Sequence, residues 1–383
     1  MRSPISTLSS SCVFVLISCA ILCSNCTNPS SKASSETPAN DEIIAKRNDF
    51  KVFGWHPYWL GHNSESYDYE LLDYISWFTY DISPETGGYT NATAIEELRI
   101  EMPNMQAKNT SDKCKYLLTV SSYSAATSRL FLANQADQQN TFIDSISLLA
   151  EELELDGITL NFEAISARSS QALNDFIILL SKRLKDSNPD HLLIVTLPAE
   201  QQNAIYQFER LDEHVDLFVL ASYGFHNKDS ATDGPIAPLD APEPKGSIKQ
   251  LVELYQAEGL DGQKMLLGLP LYGRVWESGD STLQSTDRIF KKDMTYRQIR
   301  RAYSESLEPR YDALSGSAYY LEQLENGQYE KVWFEDSLSL SLKMEWARNK
   351  NLGGAALWAL GYNHGHDEIW HAIEKVSQGQ DSI

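Results

Sequence analysis

The sequence predicts an α/β protein built as a (β/α)8 TIM barrel, and two observations carry that prediction. Eight short apolar runs of strand length recur along the body of the chain, and segments with apolar residues at three- and four-residue spacing fill most gaps between them. Strands that alternate with helices over about 330 residues are typical of this barrel. An open, doubly wound sheet is the alternative, but the chain has no glycine-rich phosphate loop to support it.

The eight predicted strands are short apolar runs such as KYLLTVSSY and LLIVTLPA. In chain order they begin at Lys51, Tyr74, Lys115, Leu155, Leu192, Val215, Met265 and Gly353. Between them lie amphipathic segments such as QQNTFIDSISLLAEEL and SQALNDFIILLSKRL, which the spacing predicts to be helices. We assign residues 49–378 to the barrel.

One gap is too long for a single helix. After the seventh strand, residues from about 277 to 332 contain a helical segment, TYRQIRRAYSES, and a hairpin pattern, SAYYLEQLENGQYEKVWF. The hairpin turn is predicted at Asn326 and Gly327, because Asn-Gly favours the tight turns that join antiparallel strands. We therefore predict a small α+β insertion that walls one side of the cleft at the carboxyl end of the barrel.

The amino-terminal residues 1–26 are typical of an export leader, with Arg2 followed by the apolar run CVFVLISCAIL. The run is too short to span a bilayer, and LISC resembles a bacterial lipobox that would place a lipid on Cys19. Cys26 is a weaker candidate, and a plain cleaved signal peptide is the alternative. Residues 27–48 are rich in Ser, Pro and Thr, so we expect a disordered tether. The protein is thus predicted to be exported, as a cell-envelope lipoprotein or a secreted protein.

Charge and composition exclude several classes of partner. The formal net charge is −21, which argues against nucleic acid and against any membrane contact other than a lipid anchor. The histidines show no ligand spacing, so we expect no metal and no cofactor.

Four of the five cysteines lie in the leader, which leaves Cys114 without a partner for an intradomain disulfide. We expect a monomer.

The fourth predicted strand carries an unusual polar face. Side chains alternate along a strand, so Thr159, Asn161 and Glu163 share the face opposite the apolar residues. An unpartnered buried polar group costs about 1–3 kcal/mol, which makes three on one face costly for a purely structural strand. Glu163 is the last of them and lies nearest the carboxyl-terminal mouth, where active sites of this fold are found. A satisfied hydrogen-bond ladder without chemistry is the alternative.

The same stretch, DGITLNFE, resembles the motif Asp-Gly-x-Asp/Asn-x-Asp-x-Glu of glycoside hydrolase family 18, the chitinase family. Asp156, Gly157 and Glu163 occupy matching positions. The segments FGWHPYW, LASYGFH, LGLPLYGRVW and GGAALWALGYN are similar to further family segments in the same order, and the resemblance covers about residues 49–375. It implies a glycosidase that acts on an N-acetylated glycan substrate, either chitin oligomers or peptidoglycan.

The resemblance also implies roles for individual residues. Glu163 would be the general acid of a substrate-assisted hydrolysis, in which the 2-acetamido oxygen of the substrate attacks the anomeric carbon. Tyr223 matches the Tyr of the sixth-strand motif, and Trp358 matches the Trp beneath the cleaved sugar. Asn161 stands where the family has Asp; it can orient the acetamido group through its amide but supplies no negative charge.

Other departures from the family pattern leave the function open. Thr159 replaces an inward Asp or Asn, Ala221 replaces Met, and Gly224 replaces Asp, while VSSYSA lacks the third-strand Ser-x-Gly-Gly. Three functions are compatible with these changes: a working N-acetylglucosaminidase, an enzyme for a different glycan, and a carbohydrate-binding pseudoenzyme. The retained acid favours activity.

Several further residues are candidates for the cleft. Glu200, which follows the fifth strand, is a candidate to replace the missing charge, and Asp81, which ends the second strand, is a weaker one; for Glu200 the alternative is the start of a helix. Arg274 is a candidate to contact sugar hydroxyls or to pair with an acid. Four aromatic residues near strand ends are candidates to stack on sugar rings, with ordinary packing as the alternative: Trp55, Tyr58, Tyr272 and Trp276.

Overall fold

Eight parallel strands close into a barrel, as the sequence predicts. The computed structural model describes residues 50–111, 113–133, 136–199, 205–242 and 246–379. The barrel strands are β1 (Lys51–Pro57), β2 (Tyr74–Asp81), β3 (Lys115–Ser122), β4 (Gly157–Phe162), β5 (Leu192–Leu197), β6 (Leu217–Leu220), β7 (Met265–Pro270) and β13 (Gly354–Trp358). They pair in the closed order β1-β13-β7-β6-β5-β4-β3-β2, which excludes the open sheet.

Helices follow most of the barrel strands, and none in the described part of the chain is long and apolar enough to cross a membrane. The helices are α1 (Ala92–Lys108), α2 (Ala125–Ala133), α3 (Ala136–Glu152), α4 (Ser170–Ser187), α5 (Phe208–Leu211), α6 (Ile248–Ala257), α7 (Tyr296–Tyr303), α8 (Ser337–Asn349) and α9 (Glu368–Ser377). A 3-10 segment at Tyr58–Ser66 follows β1.

Two apolar cores follow from the alternation of side chains along the strands. Outward residues such as Ile158, Leu160 and Phe162 of β4 belong to the large core between strands and helices. Inward residues form a smaller core within the barrel: Phe53, Trp55, Phe78, Leu117, Ile194, Val219, Leu266 and Ala356.

The inward polar residue Thr159 of β4 belongs to a hydrogen-bonded ladder inside the barrel. Ser76 Oγ of β2 lies 2.6 Å from Thr119 Oγ1 of β3 and donates to Thr159 Oγ1 over 2.9 Å. All three side chains are buried. For Thr159, the alternative of a hydrogen-bond ladder without chemistry is therefore correct, because its hydroxyl has a hydrogen-bond partner inside the barrel, below the cleft.

The predicted insertion is a five-stranded antiparallel sheet with one helix. The strands are β8 (Tyr272–Ser278), β9 (Arg288–Thr295), β10 (Arg310–Tyr311), β11 (Ala318–Gln323) and β12 (Tyr329–Phe334). They pair in the order β10-β11-β12-β8-β9, and the predicted hairpin is β11 and β12, which pair up to Gln323 opposite Tyr329. The sheet thus begins before residue 277, because Leu271 alone separates β7 from β8 and the apolar pattern continues across it.

A buried carboxylate ties the insertion to the loop after β6. Asp233 and Lys331 are both 0% exposed, and their carboxylate and ammonium groups lie 2.9 Å apart. Trp333 Nε1 donates to the same carboxylate over 3.2 Å, as do the backbone N–H groups of Gln284 and Ser285 over 2.9 and 3.1 Å. These donors compensate the buried charge and hold the loop against the sheet.

Candidate active site

A pocket of about 330 Å³ opens at the carboxyl ends of the barrel strands. Residues from β1, β2, β4, β5 and β13 and from the segments that directly follow β4, β5 and β6 line it: Trp55, Phe78, Asn161, Phe162, Glu163, Thr196, Pro198, Ala199, Ala221, Tyr223 and Trp358. The closed barrel brings these residues together, although they lie far apart in the sequence. Glu163, Asn161, Tyr223 and Trp358 are thus gathered in one pocket. Trp55 borders the same pocket, but its side chain is 1% exposed and packs in the inner core, so ordinary packing, the alternative for this residue, describes it better than stacking on a sugar.

Glu163 follows β4 directly and is open to the cleft on one side. The pKa of its carboxyl is raised above the ordinary value, chiefly because surrounding protein displaces water from the group. A hydrogen bond from Asn161 opposes this shift, and the negative charge of Asp81 adds to it. A raised pKa keeps a proton on the carboxyl nearer to neutral pH, which a general acid requires.

Asn161 lies on the same face as Glu163, one inward position deeper in the barrel. Its Nδ2 donates to Glu163 Oε1 over 3.3 Å and to Ser121 Oγ over 3.4 Å. Thr79 Oγ1 donates in turn to Ser121 Oγ over 2.7 Å. The amide is therefore held by β3 on one side and contacts the carboxyl on the other.

Asp81 at the end of β2 is the acid whose charge acts on Glu163. Tyr123, which follows β3, donates through its hydroxyl to Asp81 Oδ1 over 2.7 Å, and its side chain is 48% exposed. No local pattern indicates Tyr123, because its contact with Asp81 depends on the approach of two neighbouring strand ends. Glu200, the other candidate for the missing charge, lies outside the described residues.

Aromatic rings surround Trp358 at the pocket. Its ring centroid lies 4.7 Å from that of Phe78, 5.7 Å from that of Trp55 and 6.5 Å from that of Trp59. Trp59 is 49% exposed, whereas Tyr58 packs against the outer core. Trp59, and not Tyr58, therefore faces the cleft. Tyr58 was a candidate to stack on a sugar, but its contacts fit the alternative, ordinary packing.

Tyr272 and Arg274 lie beside the pocket, whereas Trp276 does not. A neighbouring depression contains Tyr272, Arg274 and also Trp358, and Arg274 pairs with Asp293 over 2.9 Å. Trp276 is 0% exposed and packs against Phe290 within the insertion, so its ring faces are closed to a sugar. Tyr272, Arg274 and Trp276 all lie on β8. Trp276 alone of the three is buried, because a bulge follows Val275 and the sheet packs around its ring.

Two buried polar atoms on the pocket wall have no hydrogen-bond partner among the described residues: Trp55 Nε1 and Thr196 Oγ1. Both side chains line the pocket, and both are buried. Buried polar groups are almost always paired, so these two atoms are exceptions among the residues that line the pocket. Within the described ranges, no cluster of three or more His, Cys, Asp or Glu could hold a metal ion.

Together, the fold and the site define a TIM-barrel protein with a carboxyl of raised pKa and an aromatic wall at the carboxyl end of the barrel. The chain belongs to the family described as glycosyl hydrolases family 18, whose sequence model matches residues 58–363. Among similar proteins, the cortical fragment-lytic enzyme of Bacillus anthracis is 25% identical over 60% of this chain and 52% of its own length. Chitotriosidase-1 of Mus musculus is 23% identical over 69% of this chain and 61% of its own. The chain thus spans about half the length of the bacterial enzyme.

Solved structures share the fold. The Group IV chitinase of Ostrinia furnacalis superposes with a TM-score of 0.78 and 18% identity, covering 87% of this chain and 100% of that one. A chitinase-like agglutinin of Robinia pseudoacacia superposes with a TM-score of 0.74 and 20% identity, covering 86% and 99% of the two chains. At these identities the comparison establishes the architecture alone.

Proposed function

We propose that this protein hydrolyses glycans of β-1,4-linked N-acetylglucosamine, with Glu163 as the general acid and base. The observation that carries the proposal is the position of Glu163, in a pocket with an aromatic wall, where the surrounding protein displaces water from the carboxyl and raises its pKa. Membership of a glycoside hydrolase family supports the same chemistry. The substrates are chitin oligomers or peptidoglycan; a cortical fragment-lytic enzyme and a chitotriosidase are among the relatives.

The proposed reaction is substrate-assisted and retains the configuration at the anomeric carbon. Protonated Glu163 donates to the glycosidic oxygen while the substrate's own 2-acetamido oxygen attacks the anomeric carbon, which releases the leaving sugar and forms an oxazolinium intermediate. Ionised Glu163 then takes a proton from water as that water opens the intermediate. No protein nucleophile is needed, because the substrate supplies it, and the usual spacing rule for two carboxylates does not apply to this family.

Asn161 and Tyr223 would position the reacting acetamido group in this scheme. The Asn161 amide is held by Ser121 on β3, so it presents a fixed dipole to the pocket. It supplies no charge to offset the oxazolinium. Asp81, whose charge already acts on Glu163, is the described acid best placed to supply part of it.

A reducing-end assay on chitin oligomers and on peptidoglycan fragments tests the proposal, with the wild type and Glu163→Gln side by side. Loss of a general acid typically costs about 10²–10⁴-fold in rate, so we expect the variant to be slower by at least about 100-fold. Equal turnover by the two proteins would exclude Glu163 as the acid. The fold should be unchanged, because Gln is nearly isosteric and the site is open to the cleft.

A non-catalytic glycan-binding protein is the second candidate, and Asn161 is the observation that favours it. Without the family Asp, the site has lost one charge that acts on the intermediate. A chitinase-like agglutinin shares the fold. This candidate predicts that wild type and Glu163→Gln bind chitin oligomers with equal affinity while neither cleaves them.

We further propose that the protein is exported and anchored to the membrane by a lipid on Cys19. The support is the LISC segment within the apolar leader and the Ser-rich stretch that follows, all of which lies outside the described residues. The protein should partition with membranes, and Cys19→Ala should release it. If labelled palmitate enters the Cys19→Ala protein as well as the wild type, the anchor lies elsewhere, with Cys26 next in order.

A further inference from the structure

A second depression continues from the active-site pocket along the insertion. It holds about 320 Å³, begins at Trp358, which also lines the active-site pocket, and runs past Tyr272 and Arg274. A third depression of about 350 Å³ shares Asp293 and Gln298 with it. We call this continuous surface the insertion groove and define it by six residues: Tyr272, Arg274, Lys292, Asp293, Gln298 and Arg301.

The insertion groove is locally cationic on a strongly acidic protein. Its charged residues are three cations, Arg274, Lys292 and Arg301, and one carboxylate, Asp293, which gives a local charge of +2. The whole chain carries −21. A positive surface that adjoins the active site of such a protein favours an anionic ligand, because opposite charge raises the local concentration of the ligand and steers its approach.

The three cations differ in whether they already pair with other groups of the protein. Arg274 donates through Nε to Asp293 over 2.9 Å and through Nη1 to the carbonyl of His226, so it is fixed in place. Lys292 and Arg301 are exposed, and neither has an ion-pair partner in the part of the chain that the structure describes. Two cations of the groove are therefore available to a ligand.

The backbone that carries these two cations is well ordered by its own hydrogen bonds. Lys292 lies on β9 and Arg301 on α7, and the helix starts at the residue after the strand ends. A capping box joins them: Thr295 Oγ1 accepts from the backbone of Gln298, and Gln298 Oε1 accepts from the backbone of Thr295. The two charges are thus presented from a fixed corner of the groove.

We propose that the insertion groove binds carboxylates that project from an N-acetylated glycan, so that the protein prefers an anionic glycan with acid-bearing sugars to neutral chitin. This rests on the proposed hydrolysis of N-acetylated glycans in the adjoining pocket. While one N-acetylated sugar lies against Trp358, a carboxylate on a sugar further along the chain meets Lys292 and Arg301. Arg and Lys form charge-assisted hydrogen bonds with such groups.

Binding to the inactive Glu163→Gln protein separates this preference from turnover. The probes are chitotetraose and a tetrasaccharide of alternating N-acetylglucosamine and N-acetylmuramic acid with free lactyl carboxylates, measured by calorimetry at low and high salt. We expect the carboxylated glycan to bind more tightly, and its advantage to shrink as salt screens the exposed charges. The double change Lys292→Gln/Arg301→Gln should weaken its binding about tenfold at low salt, and at least fivefold more than that of chitotetraose.

Lys291→Gln is the matched control. Lys291 is the neighbour of Lys292 on the same strand but pairs with Glu277 over 3.1 Å and does not line the groove. Equal affinity for the two glycans, no binding of either, an equal loss for both in the double variant, or an equal effect of Lys291→Gln would each overturn the inference. If Glu163→Gln cleaves as fast as the wild type, the proposed acid fails, while the binding comparison still decides the groove.

Discussion

Asn161 Nδ2 donates a hydrogen bond of 3.3 Å to Oε1 of Glu163, the next inward residue, which directly follows β4. An amide donor stabilises the ionised form of a carboxyl and so lowers its pKa, whereas the burial of Glu163 and the charge of Asp81 raise it. The pKa of the proposed acid therefore depends on three named contributions, and substitutions at Asn161 and Asp81 each remove one of them.

The first prediction concerns the pH dependence of the reaction. Glu163 acts as an acid, so activity falls as pH rises through its pKa. Asp81→Asn removes the negative charge that raises this pKa, and the alkaline limb of the kcat/KM profile should move to lower pH. Asp137→Asn, on the outer helix α3, is the control and should leave the limb in place. An unchanged limb in Asp81→Asn would show that Asp81 does not act on the acid.

The second prediction restores the family acid with Asn161→Asp. A carboxylate at this position stabilises the oxazolinium, replaces the amide donor and adds a like charge near Glu163, so the alkaline limb should move to higher pH. We expect a gain of at least about tenfold in kcat on chitin oligomers, about 1.4 kcal/mol. Asn161→Ala serves as the comparison and should be slower than the wild type. A flat or lower rate in Asn161→Asp, with binding intact, would indicate that Asp81 already supplies the charge and that two acids compete for one proton.

The third prediction concerns Trp59, whose ring lies at the cleft beside Trp358. Covering about 50 Å² of its exposed face with a sugar contributes about 1.3 kcal/mol at about 25 cal/mol per Å². Trp59→Ala should therefore weaken chitotetraose binding by roughly tenfold with little change in stability. Leu148→Ala, an exposed apolar residue of α3, should have no effect. Equal affinity in wild type and Trp59→Ala would remove Trp59 from the binding surface.

The fourth prediction concerns the buried Asp233–Lys331 pair. Asp233→Ala leaves the Lys331 ammonium and Trp333 Nε1 without their buried acceptor, and breaking such a pair typically costs about 3–5 kcal/mol. Denaturant unfolding should detect that loss. Removal of both charges in Asp233→Leu/Lys331→Met should cost less than Asp233→Ala, because no buried charge is then unpaired. A double variant at least as unstable as Asp233→Ala would contradict this account.

Local pattern by itself determined the barrel strands, the insertion hairpin and the inward face of β4 with Asn161 and Glu163. Each of these depends on residues close in sequence, since alternation along a strand sorts side chains into two faces and Asn-Gly sets a tight turn. The motif around Glu163 also indicated glycoside hydrolase family 18, and the match of the family's sequence model to residues 58–363 established that membership.

Tertiary structure alone decided which aromatic residues face the cleft and which acid acts on Glu163. Trp59 faces the cleft while Tyr58 packs on the outer core, and Trp276 is buried on a strand whose earlier residues line the groove. The orientations of Tyr58 and Trp59 depend on the 3-10 segment that follows β1, and the burial of Trp276 depends on the bulge in β8. Closure of the barrel brings the ends of β2, β3 and β4 together, so the contact between Asp81 and Tyr123 has no counterpart in any local sequence pattern.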